Sequence, residues 1–134
     1  MKTEEKNNQI TKFSFNARLK SFRSAFSGLY VLLKYEHNSR IHLFILILVL
    51  IAGLILRISL SDWMAIIFVS GLVFISECFN TAVEYLSDII SPGYNEKTGR
   101  AKDVAAFGVL VSAIVAVIIG LLVFLPAIHK YFVK

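Results

Sequence analysis

The chain holds one cysteine, two prolines and one tryptophan in 134 residues. The single cysteine, Cys78, excludes an internal disulfide and any metal site built from thiolates. It stands beside Glu77 in an apolar run with no cationic neighbour, so it reads as a small packing residue rather than a nucleophile. No G-x-x-x-x-G-K-[ST] run is present: "GYNEKTGRA" has the wrong spacing and no Ser or Thr after its last basic residue. The backbone phosphate cradle of a P-loop is therefore excluded. Neither an H-R-D nor a D-F-G signature occurs. There is no nucleic-acid-binding motif and no internal repeat. The first apolar block begins near residue 41, too late for a signal peptide.

What the chain does have is hydrophobic residues in blocks. They make up 57% of the sequence, and the mean hydropathy is +0.71. Such blocks mark an integral membrane protein, and the length suits a single domain. Residues 1–12 read as a polar tail and 13–134 as one membrane-embedded, all-α domain. Within about 13–36, Phe15, Leu19, Phe22, Phe26, Leu29 and Leu33 recur at spacings of three and four, one face of a helix. Lys12, Arg18, Lys20 and Arg23 surround that face. A basic amphipathic helix next to a span is expected to lie in the interfacial plane, apolar face down.

Three spans follow, at about 41–57, 63–88 and 104–128. The first is short, and His42 and Arg57 at its ends are read as snorkelling anchors. Trp63 opens the second as an interfacial anchor. Pro126 marks the far end of the third. The links are 57–62 and roughly 89–103. Eight of the 14 Lys and Arg fall in residues 1–40, and Lys97, Arg100 and Lys102 fall between the second and third spans. The positive-inside rule then predicts a cytoplasmic N-terminus, a cytoplasmic 89–103 loop and an outside C-terminus, in a multi-pass protein of the cytoplasmic (inner) membrane.

The second span carries an anomaly, "ECFNTAVEYLSD" at residues 77–88. At 100° per residue, Glu77, Asn80, Glu84 and Asp88 fall within an arc of about 80°. Such a stripe must face protein or water, since each charge facing lipid would cost ~2.5–3.5 kcal/mol. Glu77 is the deepest and Asp88 the nearest to the cytosol. Glu77 and Glu84 stand about 10 Å apart along the axis. That is too far to clasp one Mg²⁺ together, so the two carboxylates are assigned different tasks. Polar glue between spans suits Asn80 alone better than two glutamates on one face. An ion pathway lacks support, because the first and third spans offer no acidic or basic partner at matching depth. Lys102 and Arg100 join Glu36, Glu84 and Asp88 in a charged layer where a nucleotide and its metal could sit, and Asp103 lies beside Lys102 at the start of the third span. A non-enzymatic membrane protein or ion conduit is the alternative of another class.

"ECFNTAVEYLSD" and "GRAKDVAAFGVL" resemble the prokaryotic diacylglycerol kinase family, which includes undecaprenol kinases. The family pattern E-x-x-N-[ST]-A-[IV]-E-x-x-x-D is matched by Glu77, Asn80, Thr81, Ala82, Val83, Glu84 and Asp88. Ala101, Lys102 and Asp103 match its A-K-D, and Gly28 and Glu36 its G-x₇-E. The resemblance covers about residues 15–128.

It implies an N-terminal interfacial helix and three transmembrane helices in a homotrimeric bundle, with active sites shared between neighbouring subunits. It further implies Glu77 as general base and Glu36 and Glu84 as ligands of Mg²⁺ with the ATP phosphates. Tyr94, Glu96, Lys102 and Asp103 are implied at the nucleotide. Asn80, Asp88 and Arg18 are read as substrate-binding or site-lining. Asn95 and Phe107 depart from the family pattern, which carries His in some members at the first and a small residue at the second. The expected reaction moves the ATP γ-phosphoryl group to the primary hydroxyl of a lipid. Diacylglycerol, giving phosphatidic acid, is the expected acceptor, and undecaprenol is the alternative.

Overall fold

The computed structural model describes residues 14–133, so the 1–12 tail lies outside the described residues. The fold is all-helical: α1 (Phe15–Tyr35), α2 (His37–Leu56), α3 (Leu60–Ile90) and α4 (Glu96–Phe132). The last three are long and apolar enough to cross a membrane.

Local chemistry sets each helix end. Ser14 caps α1, its Oγ accepting from the Ala17 N–H at 3.4 Å. Glu36 alone separates α1 from α2, with extended backbone at φ −95° and ψ 114°. It closes α1 by donating its N–H to Leu32 O at 2.9 Å. Its carboxylate makes no capping bond to α2. Ser59 and Asp62 form a reciprocal capping box at the start of α3. Asn95 caps α4, its Oδ1 accepting from the N–H groups of Lys97 and Thr98.

Helix α2 ends in a Schellman-type turn, with Ile58 N donating to Gly53 O at 3.2 Å and Arg57 in the left-handed region at φ 51°. A methyl group on Gly53 would lie 2.8 Å from the Trp63 ring, so glycine lets α2 and α3 approach there. Trp63, read as an anchor, is thus also a packing partner.

Helices α3 and α4 form the principal packing pair, with α2 against both and α1 held mainly by α2. The buried face of α3 comprises Ile66, Val69, Val73, Glu77, Asn80, Thr81 and Ser87, spaced as a helical stripe. Helix α1 buries Leu32 and leaves Phe15, Leu19, Phe22 and Phe26 exposed.

Two boundaries differ from the sequence reading. Helices α3 and α4 are joined by residues 91–95 alone, because α3 runs on to Ile90 and Asn95 starts α4 early. Glu96, Lys102 and Asp103 therefore stand on a helix rather than in a loop. Pro126 does not end α4, which continues to Phe132. One lost backbone bond is tolerated in an apolar helix held by its other bonds.

Candidate active site

Helical periodicity carries the stripe of α3 from the interior to the surface. Glu77 is 2% exposed and Asn80 8%, whereas Glu84 is half-buried and Asp88 exposed. Asn80 Nδ2 donates to Glu84 Oε1 at 2.9 Å, one turn along the same face. The charges of Glu36, at the α1–α2 joint, and of Glu84 both act on Glu77. Glu36, at the α1–α2 joint, thus lies in the same electrostatic neighbourhood as Glu77 and Glu84 of α3.

The sequence reading missed His42. Its Nε2 lies 3.2 Å from Glu77 Oε1, so α2 does supply a basic partner at the depth of the deepest glutamate. The expectation that neighbouring spans offer no such partner is overturned. His42 opens an apolar run one turn past Ser39, and so reads locally as a boundary anchor. Only the register of α2 against α3 shows its partner.

Buried polar atoms in native proteins are normally hydrogen-bonded. Among the described residues, Ser39 Oγ, Glu77 Oε1, Asn80 Oδ1 and Thr81 Oγ1 are buried without a hydrogen-bond partner. His42 is close to Glu77 Oε1 but out of line for a hydrogen bond. Three of these four atoms share one turn of α3, and Ser39 is one turn from His42. Polar groups left open in one layer suit a ligand with hydroxyl or phosphate oxygens.

The α3–α4 turn forms a shallow cleft of about 170 Å³ lined by Asp88, Tyr94, Asn95 and Lys102 among others. Tyr94 is 97% exposed, its ring free to stack. Lys102 pairs with Asp88 across the turn, and Arg100 with Glu96 along α4. Exposed pairs of this kind contribute about 0–1 kcal/mol, so an arriving phosphate can take Lys102 from Asp88. Asn95, one of the two departures from the family pattern, has a local role as the α4 cap. Phe107, the other, is largely exposed on α4.

Asp103 is exposed on α4 and takes part in none of these contacts. Arg18 lies in the first turn of α1, about 27 Å along the helix from Glu36, and does not join this neighbourhood within one chain.

Among the described residues, no three His, Cys, Asp or Glu groups form a metal cage. The donor set that is present still fits Mg²⁺ arriving with phosphates, which takes one or two carboxylates and keeps phosphate and water oxygens. Glu36 has no capping duty, and Glu84 has a second oxygen beyond its bond to Asn80.

A second cavity, about 250 Å³, runs between α2, α3 and α4 from His42 past Val49, Val69, Val73 and Ala116 to Phe124. Its walls are almost wholly aliphatic and aromatic. It joins the polar layer at His42.

A bundle of apolar helices with a carboxylate layer at one end defines a multi-pass membrane protein with polar chemistry at the membrane boundary. A sequence model of the prokaryotic diacylglycerol kinase family matches residues 23–124, and the chain belongs to that family of membrane lipid kinases. It is 35% identical over 126 residues to an undecaprenol kinase of Bacillus subtilis, covering 94% of this chain and 98% of the relative. It is 38% identical over 109 residues to a diacylglycerol kinase of Synechocystis, covering 81% of this chain and 62% of the relative. A diacylglycerol kinase of Escherichia coli shares 49% identity over 47 residues, 35% of this chain and 38% of that protein.

Proposed function

We propose that this kinase transfers the γ-phosphoryl group of ATP to the primary hydroxyl of a membrane-embedded polyprenol, undecaprenol being the acceptor. The observation that carries this acceptor is the end-to-end likeness to the Bacillus undecaprenol kinase. The sequence alone placed diacylglycerol first, and the coverage of that likeness reverses the order. Diacylglycerol is the second reading, favoured by the higher identity of the short stretch shared with the Escherichia coli enzyme.

Phosphoryl transfer asks the protein for positioning and charge neutralisation more than for covalent chemistry. The lipid hydroxyl gives its proton to Glu77 as its oxygen attacks the γ-phosphorus, and the bond to the bridging oxygen breaks to release ADP. The burial of Glu77 keeps water from competing as acceptor. Glu36 and Glu84 hold Mg²⁺, which neutralises phosphate charge when bound. Lys102 leaves Asp88 for phosphate, and Tyr94 and Glu96 meet the nucleoside at the α3–α4 turn. Asp103 borders the nucleotide from α4. The groove beyond His42 receives part of the acceptor's hydrocarbon chain.

In this reading the α3–α4 turn and the N-terminus face the cytosol, and α1 lies along the membrane surface with its exposed phenylalanines in lipid. Arg18 then meets headgroup phosphate. The working unit is a homotrimer. Its support is family membership, since Glu77 and Asn80 are already covered within one chain and need no neighbour to hide them. Crosslinking in native membranes should stop at a trimer band, and a ladder ending at monomer would overturn that assembly.

The acceptor is tested with purified protein in mixed micelles, radiolabelled ATP and each lipid in turn. Undecaprenol should be phosphorylated at least about 10-fold faster than dioleoylglycerol, a gap of ~1.4 kcal/mol in transition-state binding. The reverse order would establish diacylglycerol as the acceptor. No labelled lipid with either would remove the kinase reading.

A further inference from the structure

We propose that His42 is a positioning residue for Glu77, holding one carboxylate oxygen so that the other faces the lipid hydroxyl. The inference rests on the reading of Glu77 as the base. It stands on geometry. His42 Nε2 is 3.2 Å from Glu77 Oε1, and the two side chains are 21% and 2% exposed. The contact joins α2 to α3, elements otherwise in limited contact.

A carboxylate with nothing to hold it rotates about its last bond and presents either oxygen. Asn80, the polar neighbour one turn on, donates to Glu84, and Glu77 Oε1 has no hydrogen-bond partner among the described residues. Of the ionisable groups around Glu77, Glu36 and Glu84 are acids, and His42 is the one with a ring N–H to donate. His42 is therefore the side chain placed to fix Glu77 by donating a hydrogen bond. Catalytic hydrogen bonds are often poorly aligned before substrate arrives, and the 3.2 Å separation is already within hydrogen-bond reach. His42 also lines the apolar groove, so an acceptor chain lying there is in contact with the residue that holds Glu77. Binding of the correct acceptor and alignment of the base are then one event.

The experiment compares His42→Leu, His42→Gln, Glu77→Gln and the His42→Leu/Glu77→Gln double variant, each checked for folding by size exclusion and thermal unfolding in detergent. Misplacing a reacting group by about 1 Å costs about 10²-fold, so His42→Leu should lower kcat by about 10- to 100-fold. The KM for Mg·ATP should stay within about twofold, because His42 does not meet the nucleotide. His42→Gln keeps an N–H donor at similar reach and should recover most of the loss, which a purely space-filling role would not allow. In the double variant the loss should not exceed that of Glu77→Gln alone, since the pair acts as one unit. If His42→Leu does not fold, His42→Ala replaces it with the same expectations.

A wild-type kcat in the leucine variant overturns the proposal, as does a glutamine variant no better than leucine. Losses that multiply in the double variant also overturn it. If Glu77→Gln alone keeps its activity, the base reading itself falls. If Glu77→Gln is inactive and the His42 variants are normal, only the inference about His42 falls.

Discussion

The two halves of α3 obey one period and bury opposite chemistry. Residues 60–73 bury Ile66, Val69 and Val73, and residues 76–90 bury Glu77, Asn80, Thr81 and Ser87. In the first half, burial is the stabilising event, because each buried side chain is aliphatic and gives up no hydrogen bond. In the second half, burial is a cost of about 1–3 kcal/mol for each polar atom left without a partner. Glu77, Asn80 and Thr81 each have such an atom. The helix therefore uses its apolar half to hold in place a polar half that would not bury itself. Periodicity decides which residues face inward, and residue type decides whether the inward face packs or reacts.

Removing the chemistry from the polar half should have the largest effect. Glu77→Gln should lower kcat by about 10²-fold to 10⁴-fold, with thermal stability equal to or above wild type, since it removes a buried charge and keeps the shape. Steady-state kinetics and detergent melting curves measured together check both. A variant that retained wild-type turnover would leave the polar half with a packing role only.

Moving the polar character into the apolar half is the converse test. Val69→Asp places a carboxylate on the same face two turns earlier, where no polar partner waits. It should cost ~2.5–3.5 kcal/mol and appear as a loss of folded protein in membranes. Normal yield would mean that α2, α3 and α4 separate easily at that level.

The smallest effect is expected where the polar half reaches solvent. Asp88→Asn breaks the ion pair with Lys102 but should change stability by less than about 1 kcal/mol. A larger drop in melting temperature would show that the pair fastens the α3–α4 turn.

Much of this was legible in the sequence. The hydrophobic blocks mark three spans because lipid demands continuous apolar length, and the stripe at Glu77, Asn80, Glu84 and Asp88 follows from 100° per residue. The boundaries were less legible. Asn95 caps α4 nine residues before the apolar block begins, so helix and membrane span do not coincide. Pro126 reads as a stop, yet the helix runs through it. The least legible feature was the pairing of His42 with Glu77. It joins residues 35 positions apart, and their meeting depends on how two helices slide against each other, which no local pattern records.

The five residues between α3 and α4 have a mechanical consequence. At 31 and 37 residues, the two helices measure about 46 Å and 55 Å, against a hydrocarbon layer of about 30 Å. Joined by so short a turn, they form a stiff mast longer than that layer is thick. In the proposed mechanism Glu77 is fixed to that mast at a set height, while the acceptor hydroxyl floats with the bilayer surface. A bilayer a few ångströms thicker or thinner changes the meeting height of the two unless the mast leans to compensate. With Glu77 as the proposed base, the hairpin would work as a depth gauge, tying its reach to the thickness of the membrane around it.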